Sequence, residues 1–185
     1  MSLPVTKEVA EPLIELILDQ GWPIPELTTV SAESLPADVG PYFIHTSCMT
    51  SHLETLFRTP IKIDVICEHH TESRYLRLVL LRGVHGGLPL LLGALDVSLD
   101  RFAEPVRNEI EAAQKPFGKI LTDRAVKHDF QPEAYFTFNA SSQIARILDL
   151  PEGIALYARR KLVISDDRPL AVVTEIPARF RLPGS

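Results

Sequence analysis

Between Glu72 and Gly83 the chain reads ESRYLRLVLLRG, which sets Arg74 and Arg77 inside a segment that is otherwise a near-continuous apolar run: Tyr75, Leu76, Leu78, Val79, Leu80 and Leu81. Charge precedes the run and Gly83, Gly86 and Gly87 follow it, the bounds of a buried strand. A guanidinium taken out of water costs several kcal/mol unless an anion or a set of acceptors replaces the lost solvation, and its planar fork suits a carboxylate best. Three outcomes are open to it: a ligand anion, a salt bridge to a protein carboxylate, or a side chain that reaches back to the rim. Odd offsets along a strand separate faces, so Arg74 and Arg77 point to opposite sides and one of them should face a ligand.

The turn Val84-His85-Gly86-Gly87 leads into a second apolar strand, Leu88 to Val97, and the two should pair antiparallel. GVHGG resembles a phosphate loop only superficially, since it joins two strands and opens no helix. A second hairpin closes the chain: Ala155 to Ile164, the turn Ser165-Asp166-Asp167-Arg168, then Pro169 to Ile176, all apolar enough for central strands. Glu175 is a single charge embedded in that last run, as Arg77 is in the first. Strands buried this deeply rarely keep an idle carboxylate. Either Arg77 and Glu175 form a salt bridge that serves the fold, or both face one polar pocket, where the cation holds an anion and the carboxyl manages a proton.

The remaining elements frame these two hairpins. Val9 to Leu18 suits an amphipathic helix that opens near Thr6, tolerates Pro12 early, and closes before Gly21. From about residue 21 to 45, Pro23, Pro25, Pro36 and Pro41 predict an extended connection pinned to the core by Trp22. Thr50 to Phe57 reads as a short helix capped by Thr50 or Ser51, with Glu54 completing a capping box. Ile61, Ile63, Val65 and Cys67 alternate with Lys62, Asp64, Ile66 and Glu68 as in a half-buried strand, which ends at Glu68-His69-His70. Adjacent residues on an extended chain point apart, so this polar end is read as a strand terminus and not as a metal site. Leu99 to Gln114 predicts a helix stopped by Pro116, and Lys115-Pro116-Phe117-Gly118 a tight turn, after which Ile120 and Leu121 allow a short helix. Ala125 to Phe138 predicts a long strand broken near Pro132, and Ser141 or Ser142 caps a helix through Leu148.

With 185 residues, 45% hydrophobic and 23% charged, the chain is expected to form one domain over residues 1–185 with a real core. A net charge of −5 argues against a nucleic-acid binder, because no dense basic stripe is available to displace counterions from phosphates. Two cysteines, Cys48 and Cys67, give no disulfide framework, which fits a reduced, cytoplasmic setting. Met1 to Glu11 has no signal-like apolar run, and no stretch reaches the roughly 20 apolar residues that span a bilayer. The expected partner is a small molecule; oligomeric state is not readable from the residues.

The order of these pieces resembles chorismate pyruvate-lyase and the wider chorismate lyase-like family over most of the chain. Cys48-Met49-Thr50, followed by His52-Leu53-Glu54, is similar to the family's Ser-(Met or Leu)-Thr turn opening a helix. Glu72 to Leu81 resembles its Glu-Ser-Arg-Tyr run into an Arg-bearing strand, with one residue fewer before Arg77. Pro116-Phe117-Gly118 resembles its Pro-Leu-Gly turn, and Tyr157 to Ile164 with Pro169 to Glu175 resemble its closing Arg-Arg and Pro-Leu-Leu-Leu-Thr-Glu strands. The resemblance implies an α+β fold, a single antiparallel sheet with helices packed against it and an enclosed ligand pocket, needing no metal or organic cofactor. It also implies substrate contacts at Met49, Arg77, Phe117 and Glu175, with Arg77 gripping a substrate carboxylate; alternation from Arg77 puts Arg74 on the opposite face, as a structural residue. The implied reaction eliminates pyruvate from chorismate to give 4-hydroxybenzoate. Glu175 would handle the proton, with a raised pKa if its pocket is dry and a lowered one if a buried arginine stands close.

Two positions depart from the pattern. Gly93-Ala94 replaces a Gly-Arg pair, which removes a second cation suited to a dicarboxylate, and Phe117 is bulkier than leucine. These departures point to an aromatic or polyketide-like monoacid in place of chorismate as an alternative ligand. Relatives of the fold also serve as effector-binding domains of transcription regulators, normally behind a winged-helix segment for which the N-terminal stretch here is too short. Three functions follow: a chorismate lyase, a lyase-fold enzyme acting on another small acid, and a non-catalytic small-ligand binder.

Overall fold

The structure is a computed structural model that describes residues 10–43, 45 and 47–178. Its helices are α1 (Leu13–Asp19), α2 (Gly40–Phe43), α3 (Met49–Phe57), α4 (Glu104–Glu111), α5 (Phe117–Asp123) and α6 (Ser142–Leu148). Its strands are β1 (Thr28–Val30), β2 (Ile61–His70), β3 (Arg74–Gly83), β4 (Pro89–Ser98), β5 (Asp129–Asn139), β6 (Ala155–Ser165) and β7 (Arg168–Pro177). The strands form one antiparallel sheet in the order β1-β5-β6-β7-β4-β3-β2, the α+β architecture expected. Both apolar hairpins pair as predicted, and β4 joins β7 at the middle of the sheet.

Period-two alternation divides every central strand between two compartments. Leu76, Leu78 and Leu80 of β3, Leu92 and Ala94 of β4 and Ile176 of β7 pack beneath α1 and α6, whose Leu13, Leu16, Ile17, Ile144 and Leu148 close that side. The opposite face carries Val79, Leu81 and Leu91 under α3, and Tyr75, Leu95, Val97, Val163 and Ala171 under α4 and α5. At roughly 1.5–3 kcal/mol for each large apolar side chain fully removed from water, both compartments contribute heavily to stability. The second compartment is the one interrupted by charge.

Several local expectations are corrected. The connection at 21–45 contains β1, a 3-10 turn at Ala32–Ser34 and α2, so it is not wholly irregular. The helix expected over Leu99–Gln114 is split: a 3-10 turn ends at Arg101, Phe102 and Ala103 are extended and non-helical, and Pro105 sits at the start of α4, where its missing N–H costs nothing. No capping box forms at α3: Cys48 is its N-cap without a side-chain bond, and Glu54 instead accepts from the Ile61 N–H at 3.3 Å. The Lys115 to Gly118 turn is the start of α5, with Pro116 as N-cap. Before α1, the expected helical residues up to Val9 lie outside the described residues. In β2 a bulge between Val65 and Cys67 shifts the register, so strict alternation ends there. Ser141, of the two serines considered, caps α6, accepting from the Ile144 N–H at 3.4 Å.

Candidate functional site

The charged interruption is a small cavity of about 70 Å³ between the sheet and the first turns of α3 and α5. One water needs roughly 10–15 Å³ on this measure, so the space suits a compact ligand. Its floor comes from inward positions of β3, β4, β7 and β6, and its roof from Cys48 to Thr50 and Pro116 to Gly118. Met49, Arg77, Phe117 and Glu175, drawn from four separate elements, all line it. The roof is tight: a Cβ on Gly118 would stand 2.2 Å from Cys48 Sγ, so only glycine lets α5 approach α3 this closely.

Arg77 is 1% exposed. Its Nη2 donates to the Lys115 carbonyl at 3.3 Å, while Nε and Nη1 have no partner among the described residues. The Tyr75 ring lies beside it, 5.7 Å from the guanidinium carbon. Burial lowers the Arg77 pKa, partly opposed by Tyr75 and Glu68. Arg74 lies on the other face, as alternation requires, and is saturated by Asp96 (Nε to Oδ1, 2.9 Å) and Glu15 (Nη2 to Oε2, 2.7 Å). The raised Arg74 pKa follows from the Asp96 bonds first, against partial desolvation.

Glu175 is 2% exposed and shares the cavity with Arg77, yet no ion pair joins the two. Its partners are two residues that the sequence reading did not single out. Arg159, directly opposite on β6, donates to Oε2 from Nε at 2.9 Å and Nη2 at 2.6 Å. Lys161 Nζ stands 2.6 Å from Oε1 and 4.5 Å from the centre of the Phe130 ring. Arg159 also donates to the Phe43 carbonyl at 2.7 Å. Burial by itself would raise the Glu175 carboxyl, but the charges of Lys161 and Arg159 and their hydrogen bonds outweigh it, and the pKa lies below the ordinary value. Of the two directions left open from the sequence, the lowered one set by a buried arginine holds. Lys161 corrects the expectation of a lost second cation, because a different strand supplies one. The signal was available in the spacing: residues 159, 161 and 163 share a face on a central strand, and Arg160 points the other way, to Glu133.

His45 completes the cluster. Arg159 Nη2 can only donate, so the His45 Nε2 at 3.3 Å accepts, which leaves the ring proton on Nδ1 beside Ser47 Oγ. Its ring stacks on His52 with centroids 3.9 Å apart, and His52 Nε2 donates to the Pro41 carbonyl at 2.6 Å. Burial, then the charge of Arg159, then His52 push the His45 pKa down to about 4. Among the described residues no three His, Cys, Asp or Glu side chains gather into a metal-binding group; His70 packs on Tyr75 at 4.4 Å between ring centroids. No described helix is long and apolar enough to cross a membrane.

No protein-family model matches the chain, and no curated protein does. Solved structures do. PhnF from Mycobacterium smegmatis is 11% identical with a TM-score of 0.55, the match covering 97% of this chain and 89% of that one. The effector domain of PhnF alone is 9% identical, with a TM-score of 0.54 over 71% of this chain and 88% of that one. A gene product of Staphylococcus aureus is 11% identical, with a TM-score of 0.52 over 76% of this chain and 96% of that one. Identities this low speak for the fold alone. The chain has the chorismate lyase-like fold, a single antiparallel sheet with helices packed against it.

Proposed function

We propose that the cavity is a binding site for a small organic anion and that the domain is a ligand binder of the effector-domain type, not a lyase. The observation that carries this reading is Arg77: a guanidinium 1% exposed, with two donor atoms that no group among the described residues satisfies, on the wall of a cavity. Such a cation is strongly disfavoured unless a ligand anion completes it. The state of Glu175 supports binding over catalysis. A carboxylate held by Arg159 and Lys161 and kept below its ordinary pKa is a poor proton donor near neutral pH. The solved structures point the same way, since one of them is an effector domain.

A second reading keeps elimination of pyruvate from chorismate, because Met49, Arg77, Phe117 and Glu175 all line the cavity, as the family resemblance asks. One experiment decides between them. Purified protein at high concentration is incubated with chorismate while 4-hydroxybenzoate and pyruvate are monitored, and 4-hydroxybenzoate binding is measured by calorimetry. Saturable binding that Arg77→Ala abolishes, with neither product formed, is the outcome expected of a binder. Catalytic formation of both products would replace this reading with the lyase.

A further inference from the structure

Four charged side chains are buried at or just behind the cavity: Arg77, Arg159, Lys161 and Glu175, exposed by 1%, 1%, 3% and 2%. Three cations against one carboxylate leave two positive charges with no buried counter-charge among the described residues. Glu175 divides itself, Oε2 to Arg159 and Oε1 to Lys161. Arg159 also donates to Phe43 and His45 and does not line the cavity. Lys161 does line it. Among the described residues its ammonium meets one carboxylate oxygen and the face of Phe130, so at least one of its three N–H groups is left for the cavity. Arg77 offers Nε and Nη1. Glu68, paired with Arg77 across β2, is exposed, accepts from the Tyr75 hydroxyl at 2.6 Å, and forms no ion pair with Arg77.

Two uncancelled charges in a poorly solvated site are costly, and a ligand with one negative charge relieves only half of that cost. We propose that the natural ligand is a compact dianion, with one acidic group on Arg77 and the other on Lys161, and that Lys161 sets this specificity. The proposal rests on the anion-binding reading above and reverses the monoacid expected from Ala94. A short dicarboxylate and a phosphate monoester share the required chemistry.

Matched probes test it on the whole protein at about pH 8, where a phosphate monoester is a dianion. Calorimetry compares succinate with succinamate, and methyl phosphate with methyl sulfate, each pair nearly isosteric but differing by one charge. The expected result is a dianion preference of about tenfold or more in at least one pair, and the pair that shows it separates a dicarboxylate from a phosphoryl ligand. In Lys161→Met and Lys161→Gln the preference should shrink below about threefold while the monoanion still binds, which also shows that the variants are folded. Equal affinities within both pairs for the wild type would overturn the dianion and leave the Arg77 site standing. If none of the four binds, or if Arg77→Ala binds them unchanged, the anion-site reading falls and this proposal with it.

Discussion

Arg159 and Glu175 face each other across β6 and β7 as a cross-strand pair in which two guanidinium nitrogens share one carboxylate oxygen, at 2.9 and 2.6 Å. Both residues are almost wholly buried, so the pair lies beyond solvent screening and its integrity matters for folding. Glu175→Gln removes the only buried negative charge among the described residues and leaves Arg159 and Lys161 confronting each other. A loss of roughly 3–5 kcal/mol in urea unfolding is expected, the range for breaking a buried pair by deleting one partner. A variant as stable as the wild type would show that water already screens the cluster.

Arg77 should behave in the opposite way. Its guanidinium has one long bond, to the Lys115 carbonyl, and otherwise no acceptor among the described residues, so Arg77→Met should leave ligand-free stability unchanged or raise it. Anion affinity should fall by roughly 2–5 kcal/mol, as for truncation of a desolvated charge pair. A large drop in melting temperature without ligand would mean that the side chain is structural.

His45 predicts an acid-sensitive stability. Its folded pKa of about 4 lies below the unfolded 6.5, so between those values the unfolded chain binds more protons and stability falls as pH is lowered. Glu175 adds the same sign lower down: its folded pKa is depressed, so its contribution is present above the unfolded carboxyl value and is lost as pH falls through the folded one. Melting temperature measured from about pH 7 to 4 should therefore decline, and His45→Gln should flatten the upper part of that slope. An unchanged slope in the variant would assign the decline elsewhere.

The roof contact gives a steric test. In Gly118→Ala the new methyl meets Cys48 Sγ at 2.2 Å, and separating α3 from α5 should cost about 1–3 kcal/mol. Adding Cys48→Ala removes the sulfur and should restore most of the loss, giving a coupling term in a double-mutant cycle. Additive effects would place the strain in the α5 backbone instead.

The fold was legible because its strands are long apolar runs with clear turns, and because Arg77 and Glu175 stand out as single charges within them. Arg159 and Lys161 were not singled out although their strand was, since Arg159-Arg160-Lys161 reads as one solvated basic patch until alternation is imposed on it. The protonation state of Glu175 depended on those same two residues, and that is why it stayed open. The break within Leu99–Gln114 and the start of α3 were missed because a 3-10 turn and an N-cap cysteine without a side-chain bond leave no capping signature.

The single extra residue in β2 decides what stands next to the guanidinium. Up to Val65 the odd positions share the cavity side of the sheet, but past the bulge Cys67 pairs with Leu78 on the far side while Glu68 and His70 pair with Arg77 and Tyr75. Had the chain run on without that slip, a thiol and a different imidazole would flank Arg77, and no carboxylate would hold the Tyr75 hydroxyl. One inserted backbone unit at an outer strand thus selects the chemical neighbourhood of a side chain buried a strand away.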